Sequence, residues 1–402
     1  MTAAPPLGPD RALLPGRVVL PDEVVADGLV AVEQGAIAYA GPRASLPHGW
    51  DVEQDSPKGW PPGLTLLPGL VDLHCHGGNG GEFGTDLEGS RAAAAYHHAT
   101  GTTTVVGSLV SAPSDSLLEG TQVLSTLVAA GELAGIHLEG PFLSTVRCGA
   151  QNPSALMDVD LALLERLAGM AGPNALVQMT WAPERPGGGS LPAALASFGA
   201  VGALGHTDTD FAGATDALRS VADLGVRGGL PLVTHVFNGM PPLLSRAPGP
   251  VAAALAAAAR GEAVLEVIAD GVHLDGGTVR MVFDTVGADH VALVSDAMAA
   301  SGLPEGHYSL GGVAVQVKGR EARLAVGGSL AGGVSVLLDQ VRWLVRDLGI
   351  ALQDAVRAAS TTPARALALD GVGALVSGRR ADVVVVDDDL TLRGVMRAGL
   401  WL

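Results

Sequence analysis

Cysteine is almost absent from this 402-residue chain: Cys75 and Cys148 are the whole complement. Two thiols cannot make a disulfide framework, and reduced thiols fit a cytoplasmic protein. Long hydrophobic runs are missing as well. The longest uniform apolar stretch, Val251 to Ala259, falls far short of the roughly 20 residues that cross a bilayer. No basic residue precedes Arg11 and no continuous apolar region opens the chain, so no secretory signal is expected. Positive charge is also scarce, 24 Lys and Arg against 41 Asp and Glu for a formal net charge of −17. Such a surface repels phosphate backbones and anionic lipid, so nucleic acid and membrane are excluded as partners. A single phosphate can still be captured by a local arginine. Lysine is scarcer still, with only Lys58 and Lys318 present.

What is present is a globular composition, 48% hydrophobic with 56 glycines. Short β-like pieces at Gly16 to Leu20, Gly28 to Glu33 and Ala36 to Ala40 alternate Val and Ile around Gly, Pro and Asp punctuation. A proline-rich connector, Trp50 to Gly63, follows. Near the other end, Ala381 to Asp387 reads as a buried strand, and Leu392 to Trp401 as a further β segment beyond a turn. Chain ends commonly lie close together, so residues 1–64 and 371–402 are expected to form one small β domain.

Between them, over residues 65–370, strand candidates alternate with helical patterns, which predicts βα units and a parallel sheet. Strands are predicted to end at His74, Gly107, Glu139, Trp181, His206, His235, Ala269 and Asp296. Helices are predicted over Leu87–Thr100, Ser114–Ala130, Val159–Ala171, Asp208–Leu224 and Asp275–Val286, and again at Val334–Asp347 and Leu352–Ala359. Eight such units favour a (β/α)8 barrel, with a doubly wound open sheet as the alternative. Gly306 to Gly328 reads as one or two hairpins inserted after the eighth strand.

His74 and His76 stand two residues apart after the apolar run Leu66 to Asp72. On an extended strand they project from one face and reach one metal ion together. Further polar residues close other strands: Glu139 the third, His206 the fifth, His235 the sixth and Asp296 the eighth. Singly, each has a plain structural explanation, a backbone-bonded histidine or an acid capping the next helix. Jointly they point to one mouth, because the C-terminal strand ends of a barrel share a face where active sites are built. Imidazole and carboxylate are ligands for zinc or a similar divalent ion, with a coordination position kept for water.

These residues lie in segments that resemble the amidohydrolase superfamily, and within it the N-acetylglucosamine-6-phosphate deacetylases: Pro68 to Gly78, His137 to Phe142, Ala203 to Thr207, Thr234 to Met240, Ile268 to His273 and Val294 to Ala297. The resemblance implies an amidohydrolase-type barrel with a small β-sandwich domain built from both termini. It implies hydrolysis of N-acetyl-D-glucosamine 6-phosphate to D-glucosamine 6-phosphate and acetate. Carried over by residue, it implies that Glu139, His206 and His235 hold one divalent ion and that His74 and His76 provide for a second. The ion is taken as Zn2+, with Fe2+, Co2+ and Mn2+ as alternatives. Asp296 is implied as general base and acid at the metal, and His273 as the group polarising the substrate carbonyl. Asn238, the Gly239 backbone and Arg246 match phosphate-binding positions, Arg246 being supplied across the interface of a homodimer. Gln151 stands where many members have a histidine that touches the sugar, and Cys148 lies in the same loop.

Other amide and imide hydrolases of the superfamily bridge two ions with a carboxylated lysine at a strand end. Lys58 in the connector and Lys318 in the late insert cannot occupy that place, so a bridge falls to Glu139. A different N-acyl amino sugar or amino acid deacylase, or a non-catalytic barrel scaffold, remains the alternative.

Overall fold

The computed structural model describes residues 11–402. The opening residues that were read for a secretory signal, apart from Arg11, lie outside that range. Eight strands form one parallel sheet in the chain order Val71–Cys75, Thr104–Val110, Gly135–Glu139, Leu176–Trp181, Val201–Leu204, Leu232–Val233, Val264–Val267 and Val291–Leu293. Beyond the last strand, Asp296 N–H donates to the His74 carbonyl at 2.9 Å and His76 N–H donates to the Ala297 carbonyl at 2.8 Å. Those bonds join the eighth strand to the first. The expected barrel is therefore the architecture, and the open doubly wound sheet is set aside.

Each predicted helix is found, and several begin at a side-chain cap. Asp86, Asp160, Asp210 and Asp275 each accept a backbone N–H from the first turn of the helix they precede, satisfying donors that a helix start otherwise leaves unpaired. The helix predicted from Asp208 thus begins at Phe211, after its Asp210 cap. Helix Leu161–Ala171 shows why these segments pack on the sheet: Leu163, Leu164, Leu167, Ala168 and Ala171 are buried on one stripe. Helices Leu191–Ser197 and Gly249–Ala259 supplement the predicted set; the second contains the alanine-rich run noted above.

The chain ends build a separate seven-stranded sheet. Thr65–Pro68 pairs within it, parallel to Arg11–Val19 and antiparallel to Val383–Val386, although its sequence runs straight into the first barrel strand. Leu14, Val18, Val30, Leu66, Val383 and Val385 pack into one of its clusters. The predicted insert is a three-stranded meander, Gly306–Leu310, Val313–Lys318 and Glu321–Leu324. It buries Leu310, Val315, Val317 and Ala322 against Met298, Ala300 and Ala331, just beyond the eighth barrel strand.

The terminal sheet is locked to the barrel around Gly69. Its N–H donates to the Asp382 carbonyl at 2.9 Å, while the Asp382 carboxylate accepts from Thr103 Oγ1 at 2.9 Å and from Arg380 Nε at 2.8 Å. A Cβ on Gly69 would fall 2.1 Å from Thr103 Oγ1 and 2.7 Å from Asp382 Cβ. Gly69→Ala is expected to destabilise the fold by about 1–3 kcal/mol, the usual range for forcing a methyl into a filled space. An unchanged urea midpoint would contradict this account of the junction.

Candidate active site

The barrel brings its polar strand ends to one place. His74 and His76 belong to the first strand region and Glu139 ends the third strand, whereas His206, His235 and Asp296 sit just past the hydrogen-bonded ends of the fifth, sixth and eighth. Those last three have left-handed backbones, with φ of 46°, 25° and 47°. Non-glycine residues take such angles at a cost of roughly 1–3 kcal/mol each. All six side chains are buried.

Glu139 is the common member of two groups. Its Oε1 lies 2.9 Å from His206 Nε2 and 2.9 Å from His235 Nε2. Its Oε2 lies 3.1 Å from His76 Nε2, which is itself 3.0 Å from His74 Nε2. Asp296 Oδ1 approaches the second pair, at 3.4 Å from His74 and 3.3 Å from His76. Ligands held about 2.0–2.1 Å from a tetrahedral ion stand ~3.3 Å apart, so these separations match coordination spheres. Outer bonds point the ring nitrogens inward: His206 Nδ1–H donates to the Arg147 carbonyl at 2.8 Å, and His76 Nδ1–H to the Ser108 carbonyl at 3.3 Å.

The electrostatics favour a cation. Burial would raise the Glu139 carboxyl, but the His74 charge and the bonds from His206 and His235 hold it well below the usual range. Asp296 is brought to about 2 against its burial, by the His76 bond and the charges of both strand-one histidines. Burial likewise opposes charge on His76, yet Asp296 and Glu139 lift it to about 9, and His74 and His206 rise too. Other buried histidines behave oppositely: burial pushes His97 to about 4 and His98 to about 3. The cluster thus stabilises positive charge where histidines elsewhere in the wall reject it, and a divalent ion would supply that charge.

A third set of candidate donors, Asp72, Cys75 and His97, lies in the wall behind the first strand. There His97 Nε2–H donates to the Gly77 carbonyl at 2.9 Å, and Asp72 Oδ1 accepts the His74 and Ser295 N–H groups at 3.2 Å each. Those bonds give the set a structural role. Lys58 and Lys318 are both exposed.

Near the mouth, His273 Nδ1–H donates to Asp270 Oδ2 at 2.8 Å, and Asp270 Oδ1 takes the Val272 and His273 N–H groups at 2.9 Å each. Burial opposes charge on His273, but the bond and charge of Asp270 lift it above the usual imidazole range, and in the protonated ring the Nε2–H is left free to donate. Gln151 faces the cluster: its amide N–H donates to Glu139 Oε2 at 2.6 Å and its oxygen accepts from Ser111 N–H at 2.8 Å. A buried amide that can satisfy both its ends on fixed neighbours does so. Asn238 N–H and its side-chain amide both donate to the His235 carbonyl, at 3.0 and 3.2 Å. The Gly239 carbonyl takes the Thr207 N–H at 3.1 Å. Arg246 is exposed, on the loop that carries exposed Leu243 and Leu244.

The amidohydrolase family pattern matches residues 65–402, through every barrel strand. The chain belongs to the amidohydrolase family. It is 32% identical to the N-acetylglucosamine-6-phosphate deacetylase of Lysinibacillus sphaericus over 342 residues, covering 84% of this chain and 85% of that one. It is 31% identical to an Escherichia coli N-acetylgalactosamine-6-phosphate deacetylase over 340 residues, covering 83% of this chain and 86% of that protein. Among solved structures it is similar to a mutant Mycobacterium smegmatis N-acetyl-D-glucosamine-6-phosphate deacetylase in complex with N-acetyl-D-glucosamine-6-phosphate. That likeness has a TM-score of 0.88 at 36% identity, over 98% of this chain and 99% of the other.

Within this amidohydrolase site, sequence reasoning passed over Glu266 and the role of Asp270. Glu266 is an acid inside the apolar seventh strand, Val264–Val267, and a charge at a buried strand position is the signal that marks it. Asp270 was visible only as part of the segment ending at His273.

Gly239 supports His206 by having no side chain. A Cβ there, at φ 61°, would fall 2.8 Å from His206 Nδ1. Gly239→Ala is expected to displace the ring and lower metal content at the Glu139, His206 and His235 group about 10-fold or more at limiting ion, the scale of losing an outer support. Metal analysis after dialysis checks this; full occupancy in the variant would refute it.

Proposed function

We propose that this chain hydrolyses N-acetyl-D-glucosamine 6-phosphate to D-glucosamine 6-phosphate and acetate, a metal-dependent cut of a linear amide. The observation that carries the proposal is the meeting of two imidazole pairs on one glutamate, with an aspartate against the strand-one pair. The names of the relatives supply the substrate class. Glu139, His206 and His235 would hold one ion, and His74 with His76, Glu139 and Asp296 a second. Zn2+ suits these imidazole and carboxylate donors best. When bound, a divalent ion acidifies a water molecule and offsets charge growing on the carbonyl oxygen.

The remaining work falls to side chains. Asp296 takes the proton of the attacking water and hands it to the departing amine nitrogen, the transfer that makes an amine a feasible leaving group. His273, oriented by Asp270, donates to the acetyl carbonyl oxygen as it becomes an oxyanion. Asn238 and the Gly239 backbone meet the phosphate from within the subunit. Arg246 of the partner subunit completes the phosphate site with a guanidinium fork, which can bind two phosphate oxygens. Exposed Leu243 and Leu244 beside Arg246 supply the apolar surface of a homodimer contact. Among the described residues no helix is long and apolar enough to cross a membrane; with the two free cysteines, a cytoplasmic enzyme is the fitting reading.

The direct test is acetate release from N-acetylglucosamine 6-phosphate, its unphosphorylated form and N-acetylgalactosamine 6-phosphate. Turnover of the first above the other two is expected, and inactivity on all three would overturn the reading. Asp296→Asn is expected to keep at least the ion at Glu139, His206 and His235 while losing on the order of 100-fold or more in kcat; near-normal turnover would remove Asp296 from its role. Arg246→Ala is expected to lower kcat/KM for the phosphorylated substrate about 10-fold or more, the scale of a charge-assisted phosphate contact, with little change on the free sugar. Mixing it with Asp296→Asn should recover activity in hybrid dimers; exchange without recovery would argue against a shared phosphate site.

A further inference from the structure

Glu266 is fully buried in the middle of the seventh barrel strand. Its Oε2 accepts His74 Nδ1–H at 3.1 Å and the backbone N–H of His235 at 3.4 Å, and its Oε1 accepts from the Gln178 side-chain amide. No described lysine or arginine pairs with it; its ion-pair partner is His74. A buried carboxylate without a compensating cation is costly, so its retention in the floor of a metal cluster calls for a function.

We propose that Glu266 is the positioning residue that makes the strand-one histidines an ion site. This inference rests on the metal-dependent reading given above. With its Nδ1 proton committed to Glu266, His74 must present the Nε2 lone pair to the centre. His76, bonded through Nδ1 to the Ser108 carbonyl, does the same. The two Nε2 atoms then face each other at 3.0 Å, an arrangement that requires a positive centre between them. A carboxylate behind an imidazole also makes the ring a stronger donor to an ion than a carbonyl does. The two groups differ in this respect: His206 is backed by a carbonyl, and His235 Nδ1 has no hydrogen-bond partner among the described residues. The carboxylate thus lies behind the pair whose Nε2 atoms face each other at 3.0 Å.

Charge agrees with geometry. Glu139, Asp296 and Glu266 are three buried carboxylates whose described ion-pair partners are all histidines. One divalent ion leaves this set with one uncompensated negative charge, whereas a second leaves it with one surplus positive charge and so makes room for an anionic water-derived ligand. Glu266 is the carboxylate not required by the first ion.

Glu266→Gln tests this because the fold can accept it. Gln178 Oε1 has no hydrogen-bond partner among the described residues, so turning the Gln178 amide would pair it with the new glutamine. Wild type and variant would be stripped and titrated with Zn2+, with ions per subunit measured after dialysis, and with Co2+, followed by visible absorption. Two ions in the wild type, and a second ion bound about 10- to 100-fold more weakly in Glu266→Gln with the first unchanged, are expected. Equal second-ion affinity in the two proteins, or a single ion in wild type, would overturn the inference. Equal loss of both ions would also overturn it, by showing a general structural role. The titration uses no substrate, so it is separable from the proposed reaction. A wild type that binds two ions but releases no acetate sinks the reaction alone, and an active enzyme indifferent to Glu266→Gln sinks the positioning role alone.

Discussion

Glu139 reaches two imidazole pairs at once, Oε1 to His206 and His235 and Oε2 to His76. A carboxylate buried this deeply loses several kcal/mol of hydration, and only short contacts to polarised nitrogens on several sides can offset the loss. That requirement ties strands one, three, five and six to a common point. A shift of any one strand along the barrel would open one of these contacts. The barrel is thus more than a platform for the site, since its register has to satisfy one buried charge.

Closure of the barrel answers the same constraint. The bond from Asp296 N–H to the His74 carbonyl joins the eighth strand to the first through residues whose side chains also meet, Asp296 Oδ1 with His74 Nε2 at 3.4 Å. Backbone pairing and side-chain electrostatics therefore reinforce one another at the seam. Gly333 N–H donates to the Asp296 carbonyl at 2.6 Å and holds the other side of that residue. The peptide on either side of the aspartate is thereby fixed, which is what the proton transfer proposed for it demands.

Much of this was legible from the chain alone. His74 and His76 follow an apolar run, Glu139 ends another, and their recurrence at strand ends made a barrel mouth readable without coordinates. The strand ends were less so. The second strand runs through Gly107 to Val110, while the strands leading to His206, His235 and Asp296 stop before those residues. The cause is local: these three residues leave the ladder by turning left-handed, and hydrophobic alternation carries no mark of that turn. Gln151 was legible as a position, but its bond to Glu139 was not, because that bond depends on how far the loop folds inward. Glu266 was overlooked because a strand buried on both faces has no polar side on which an acid looks expected.

The left-handed turns at His206, His235 and Asp296 explain how parallel strands of different length supply side chains at one depth. In a regular strand successive side chains alternate between lumen and outer face, so a ligand just beyond the ladder would be aimed only as the pleat dictates. A single left-handed residue breaks the alternation and redirects the side chain across the mouth. The strain of roughly 1–3 kcal/mol per residue is offset by bonds that the turned residues make. His206 gains the Arg147 carbonyl, the Asn238 backbone N–H returns to the His235 carbonyl, and Asp296 is held from both sides. Gly239 then has to stay bare, because the turned His206 ring occupies the space its Cβ would fill. The bare glycine beside the proposed phosphate position is in this way a consequence of how the His206 backbone turns.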